Sequence, residues 1–215
     1  MTDRTPRDWT RRRFLLAGLT VPAGLALVPW VRVARGAGAH TAAARYDEPV
    51  LDPTPPCADG DEVTPSETAG PFFTPNSPER RSFLEKGVPG APIVLAGRVY
   101  STGCLPLAGA LLDFWHADGS GEYDNEGYRC RGHQFTDAAG RFRLETVVPG
   151  LYPGRTRHFH VRVQAPGKPV LTTQLYFPAE PRNRSDSLFK SALLMKVREG
   201  ATRKLAAFDF VLDVQ

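Results

Sequence analysis

The chain has 215 residues, 20 Gly, 20 Pro and a formal charge of +4. That length holds one domain with a substantial core and little of a second. Gly and Pro spread along the whole chain argue against long helices and for short strands joined by turns. The charge does not mark a nucleic-acid binder: residues 1–39 hold seven Arg and two Asp, a local +5 that leaves the remaining chain at −1.

The first 39 residues read as an address. Arg11-Arg12-Arg13 opens a basic stretch, an apolar run follows from Phe14 to Val31, broken by Pro22, Gly24 and Pro29, and Ala37-Gly38-Ala39 supplies a small-x-small cleavage site. An Arg pair followed by x-Phe-Leu resembles the twin-arginine signal, a route that exports proteins already folded. The expectation is a bacterial protein sent to the periplasm or beyond and cleaved after Ala39. The competing reading is a retained anchor, for which the run is interrupted and short. Residues 40–66 read as a Pro-rich lead-in, and 67–215 as the folded domain. Cys57, Cys104 and Cys130 allow one disulfide and a spare thiol in an oxidising compartment, and no two of them have zinc-ligand spacing.

Predicted strands follow in order: Ile93–Tyr100, Ala110–His116, Arg141–Val147, His158–Ala165, Val170–Phe177 and Ala206–Val214. Turn sequences separate them, such as Asp137-Ala138-Ala139-Gly140 and Ala165-Pro166-Gly167-Lys168-Pro169. Pro78–Lys86 and Ser185–Val197 each read as a turn or two of helix, and Arg131–Gln134 as a loop bordering a pocket. The expected fold class is all-β, a β-sandwich with few short helices.

His158-Phe159-His160 is the sharpest local signal. At i and i+2 on a strand, both imidazoles point to one face and make half of a metal site. The pattern alone is weak, since two polar residues on a solvated strand face read the same way. Its surroundings add to it. Tyr152 lies on the tight turn Pro149-Gly150-Leu151-Tyr152-Pro153-Gly154 just before the strand, and Trp115–Tyr123 runs from a strand end into a loop with a second Tyr. A phenol is a poor ligand at neutral pH, but a trivalent cation deprotonates it, and hard phenolate oxygen with imidazole suits Fe(III).

These segments resemble the intradiol ring-cleavage dioxygenases, the family of protocatechuate 3,4-dioxygenase and the catechol 1,2-dioxygenases. The pieces are Thr68-Ala69-Gly70-Pro71-Phe72-Phe73, Trp115 through Gly121-Glu122-Tyr123, Thr136-Asp137-x-x-Gly140-x-Phe142, Thr146-x-x-Pro149-Gly150-x-Tyr152, Arg155-x-x-His158-x-His160 and Thr173-Gln174-x-Tyr176-Phe177. The resemblance implies a β-sandwich and one non-haem Fe(III) per chain, held by Tyr123, Tyr152, His158 and His160. It implies a catechol-type substrate, O2, and a muconate-type diacid product. Tyr152 is then the ligand that substrate displaces, Arg155 the active-site Arg and Gln174 the polar residue near the attacked carbon. Tyr128 is the rival to Tyr123. Arg155 otherwise reads as a surface cation beside Arg157, Gln174 as a satisfied strand amide and Tyr176 as core. His116 and His133 lie outside the implied ligand set.

The chain departs from the pattern between Tyr152 and Arg155, where only two residues stand in place of a long insertion, and Gly154 replaces a Trp. A shorter loop predicts a more open pocket and tolerance for substituted catechols. The competing function is an exported, non-catalytic metal-binding β-sandwich, carrying copper or iron through His158 and His160, or a transthyretin-like module that lost its metal.

Overall fold

The computed structural model describes residues 62–214. The basic leader, the apolar run, the cleavage site and the lead-in as far as residue 61 lie outside the described residues. Alternating apolar residues draw the rest into nine strands: β1 (Pro92–Ser101), β2 (Leu111–Trp115), β3 (Arg131–Phe135), β4 (Arg141–Val147), β5 (His158–Gln164), β6 (Leu171–Tyr176), β7 (Lys196–Glu199), β8 (Lys204–Ala207) and β9 (Phe210–Leu212). Two 3-10 turns, Pro181–Arg184 and Ser191–Leu193, are the helical elements among the described residues. None of these is long and apolar enough to cross a membrane.

One sheet has the order β4-β1-β8-β7, with β9 also paired to β1; the other has the order β3-β2-β5-β6. They pack face to face through Ile93, Leu95, Phe142 and Leu144 from the first and Leu112, Phe114, Phe159, Val161 and Leu175 from the second. The period of two then sends the alternate residues of the second sheet outward. Register aligns four of them in one row across the sheet: Arg131, Trp115, His160 and Gln174. That row is the floor of the site.

Residues 67–77 cover this outer face. Glu67 N–H donates to the Thr172 carbonyl on the edge of β6 at 2.8 Å, and Ser77 Oγ–H donates to Asp113 Oδ1 at 2.8 Å. His133 Nδ1–H donates to the Ser77 carbonyl at 2.7 Å, and the Arg162 guanidinium lies 3.6 Å above the Phe73 ring.

Three expectations need correcting. Pro78–Lys86 is extended, not helical. Its backbone closes two open edges at once, with Arg80 N–H donating to the His133 carbonyl and Phe83 N–H to the Glu145 carbonyl, each at 2.8 Å. Phe83 is fully buried, so sheet-edge bonds and core burial outweigh local helix propensity. Arg131–Gln134 is part of β3, not a loop. Ala206–Val214 is broken between β8 and β9, where Asp209 Oδ1 accepts the Arg98 N–H at 2.7 Å and Phe208 N–H donates to the Ala96 carbonyl at 3.1 Å. Cys104 is disulfide-bonded, and Cys130 is a buried free thiol pushed up to about 12 by burial.

Candidate metal centre

β5 lies between β2 and β6, so the faces of His158 and His160 are set by strands on both sides. His158 Nδ1–H donates to the Thr156 carbonyl at 2.7 Å, which leaves the Nε2 lone pair facing the site. The two Nε2 atoms are 3.1 Å apart. The His160 ring stacks on Trp115 with centroids 4.9 Å apart and planes 3° from parallel. Both histidines are neutral: burial lowers His158 to about 4 and His160 well below its ordinary value.

The Tyr123 hydroxyl lies 3.5 Å from His158 Nε2. Phe72 stacks on its ring at 4.3 Å and meets the Tyr152 ring edge-on at 5.3 Å. The two tyrosine rings meet edge-on at 5.8 Å. They come together because their loops touch backbone to backbone. A Cβ on Gly121 would stand 2.5 Å from the Leu151 carbonyl oxygen, and one on Gly150 would stand 2.2 Å from Gly121 N. Gly121, at φ +91°, also adopts a backbone conformation that side chains disfavour. The Gly150 N–H donates to the Asp118 carbonyl at 2.6 Å and locks the contact. Among the described residues no hydrogen bond holds the Tyr152 hydroxyl. Tyr128 points elsewhere: its hydroxyl donates to the Pro75 carbonyl at 3.2 Å on the surface.

Burial raises the Tyr123 phenol above its ordinary value, against the fields of Arg155 and Arg131. It therefore needs a strong cation to ionise. No group of three His, Cys, Asp or Glu clusters for a metal among the described residues. Two lone-pair imidazoles beside two phenols, with no carboxylate or thiolate, are a hard N/O donor set that fits a ferric ion.

Arg155 and Gln174 bound the other side. Arg155 Nε–H donates to Asp186 Oδ2 at 2.9 Å, and Nη2–H to Gln174 Oε1 at 2.6 Å. Gln174 Nε2–H donates to the Thr68 carbonyl at 2.9 Å, and the Tyr176 hydroxyl donates to Gln174 Oε1 at 3.1 Å. Asp186 also accepts the Thr156 and Leu188 N–H groups. Although burial pushes the Asp186 carboxyl up, those backbone donors and Arg155 bring it below its ordinary value. Arg155 is thus no surface cation. Asp186 is a residue that sequence reasoning missed, because an acid 31 positions from its partner carries no local signal.

His116 and His133 lie apart from the donor atoms. His116 Nδ1–H donates to the Ala117 carbonyl at 2.7 Å and Nε2 accepts from the Thr146 hydroxyl at 2.8 Å, while His133 is held by Ser77.

A family model described as Dioxygenase matches residues 68–214. The chain belongs to the intradiol ring-cleavage dioxygenases. It is 57% identical to the solved dioxygenase domain of a dioxygenase–carbohydrate-binding protein fusion from Streptomyces sp. SirexAA-E, over 72% of this chain and 100% of that one, at a TM-score of 0.70. It is 30% identical to catechol 1,2-dioxygenase 2 of Acinetobacter lwoffii over 66% of this chain and 62% of that protein, so it spans about three fifths of that relative's length. Chlorocatechol 1,2-dioxygenase of Rhodococcus opacus is 28% identical over 70% of this chain and 72% of its own.

Proposed function

We propose that the chain uses O2 to open a catechol-type ring between its two oxygen-bearing carbons, giving a muconate-type diacid, with one ferric ion held by Tyr123, Tyr152, His158 and His160. The observation that carries this reading is the convergence of His158 Nε2, His160 Nε2 and the Tyr123 hydroxyl, with separations of 3.1 and 3.5 Å, beside the Tyr152 ring. Relatives named for catechol and chlorocatechol cleavage support the substrate class.

When bound, the ferric ion supplies a Lewis acid that draws electron density from the diol and opens its ring carbons to O2. The protein supplies the rest. Tyr152 Oη, free of hydrogen bonds among the described residues, would hold the ion as a phenolate and, as such, could take up a proton from the incoming diol. Arg155 keeps its charge in a fixed place between Asp186 and Gln174 and stabilises negative charge developing on the ring. Trp115 and Phe72 wall the donor atoms from water, which strengthens each electrostatic contact.

The reading extends to location. The Arg11-Arg12 pair, the apolar run and Ala37-Gly38-Ala39 support export of the folded protein by the twin-arginine route, with residues 67–215 as the catalytic domain. N-terminal sequencing of the exported protein tests cleavage after Ala39.

The test of the activity is direct. Iron-loaded protein is coloured by tyrosinate-to-iron charge transfer and consumes O2 on addition of catechol. Arg155→Ala keeps the colour and slows turnover by about a hundredfold. Protein that binds no iron, stays colourless and takes up no O2 overturns the reading.

A further inference from the structure

Arg131 is buried with 1% exposure, and among the described residues no carboxylate forms an ion pair with it. A buried guanidinium is costly unless its N–H groups are used. Here they are spent on main-chain carbonyls. Nε–H and Nη2–H both donate to the Asp124 carbonyl, at 3.0 and 2.8 Å, and Nη1–H donates to the Phe72 carbonyl. Asp124 directly follows Tyr123, and Phe72 is the residue whose ring stacks on Tyr123. Arg131 stands at one end of the floor row, next to Trp115, which in turn stacks on His160.

We infer that Arg131 is a positioning residue: its guanidinium ties the Tyr123 loop to the Phe72 segment and so holds the Tyr123 phenol toward His158. Three features make this more than a structural bond. The loop is already closed on itself, since the Asp124 carboxylate accepts the N–H groups of Glu126, Gly127 and Arg129; Arg131 adds the tether to the site. Both carbonyls belong to segments that touch Tyr123, not to the sheet ladder. The arginines that tether the Tyr152 loop are less enclosed: Arg157 donates to the Pro149 carbonyl and Arg182 to the Tyr152 carbonyl at 3.4 Å, and both are at least partly exposed, whereas Arg131 is buried. The Tyr123 loop is therefore tethered by a buried guanidinium, and the Tyr152 loop by partly exposed ones.

The inference rests on Tyr123 being a metal ligand, as proposed above. The test replaces Arg131 by Lys, which keeps the charge and loses the fork, and by Met, which loses both. Each is made in the wild-type chain and in Tyr123→Phe. Apo-protein circular dichroism, iron affinity against a competing chelator, and the visible charge-transfer band are measured. In the wild-type background both replacements keep the sheet signature, lower iron affinity by about tenfold to a hundredfold, and weaken the band. In the Tyr123→Phe background they change affinity and band by less than about twofold, because the residue through which they act is gone. Equal losses in both backgrounds overturn the inference, as does a band of full strength in Arg131→Lys. If neither replacement folds, Arg131 belongs to the core and the inference also fails. Wild-type protein that binds iron without any charge-transfer band refutes the tyrosine ligands instead, which separates the two readings.

Discussion

His158 and His160 stand on an interior strand, whereas Tyr123 and Tyr152 stand on loops that meet above it. The strand needs nothing outside the sheet to aim its side chains: pairing with β2 and β6 and the two-residue period place both imidazoles on one face. The loops have no such ladder. Their aim depends on the Gly121–Gly150 backbone contact, the Asp118 carbonyl, and arginine side chains that capture carbonyls. The difference shows that half of this donor set is secured by secondary structure, and half by contacts between residues far apart in the chain.

Four measurements press on that division, taken from the largest expected effect to the smallest. His160→Ala removes a donor from the rigid half. Iron binding and O2 uptake should both vanish while circular dichroism keeps the sheet signature. A variant that retains stoichiometric iron would move the centre away from the strand. Gly150→Ala attacks the loop half, since its methyl would overlap Gly121 N. Urea unfolding should show a loss of more than about 3 kcal/mol, because the overlap is with backbone, and the charge-transfer band should weaken as the two tyrosines separate. An unchanged band would mean that the loops find their place without that contact.

The third measurement concerns His116, at the end of β2, which burial holds at about 4 in the folded protein. Unfolded, it titrates near the ordinary value of about 6.5. The unfolded chain therefore binds the extra proton first, and stability falls as pH drops from about 6.5 toward 4. Full expression of that shift is worth on the order of 3 kcal/mol. Urea midpoints of the apo-protein should fall across this window, and His116→Gln should make the dependence shallower, leaving the share of His158 and His160. An identical slope in the variant would assign it to other groups. The smallest effect belongs to Tyr128→Phe. Its hydroxyl makes one surface hydrogen bond, so stability should change by less than about 1 kcal/mol, with iron content and band intact. Loss of colour in this variant would make Tyr128 the ligand in place of Tyr123.

Five of the nine strands, β1, β2, β4, β5 and β6, were legible to within a residue or two because their apolar residues alternate or run together. β3 was not. Its sequence Arg-Gly-His-Gln-Phe carries polar groups toward both faces, and two of them, Arg131 and Gln134, are buried. Hydrophobic patterning has no signal for a buried guanidinium bound to carbonyls. Pro78–Lys86 misled for the opposite reason: its charged residues suit a helix, and only the open edges of β3 and β4 give its backbone a better partner.

By itself the sequence determined the sandwich, the common face of His158 and His160, and the run of segments that marks the family. Each of these depends on neighbours or near neighbours in the chain, through strand period or motif spacing. The tertiary structure alone decided that Tyr128 turns to the Pro75 carbonyl, that Asp186 and Gln174 hold Arg155, and that Arg131 secures the Tyr123 loop. Those contacts join residues from 7 to 59 positions apart. No local pattern encodes such pairs, because they form only when register has stacked the strands and glycine has let the loops close over them.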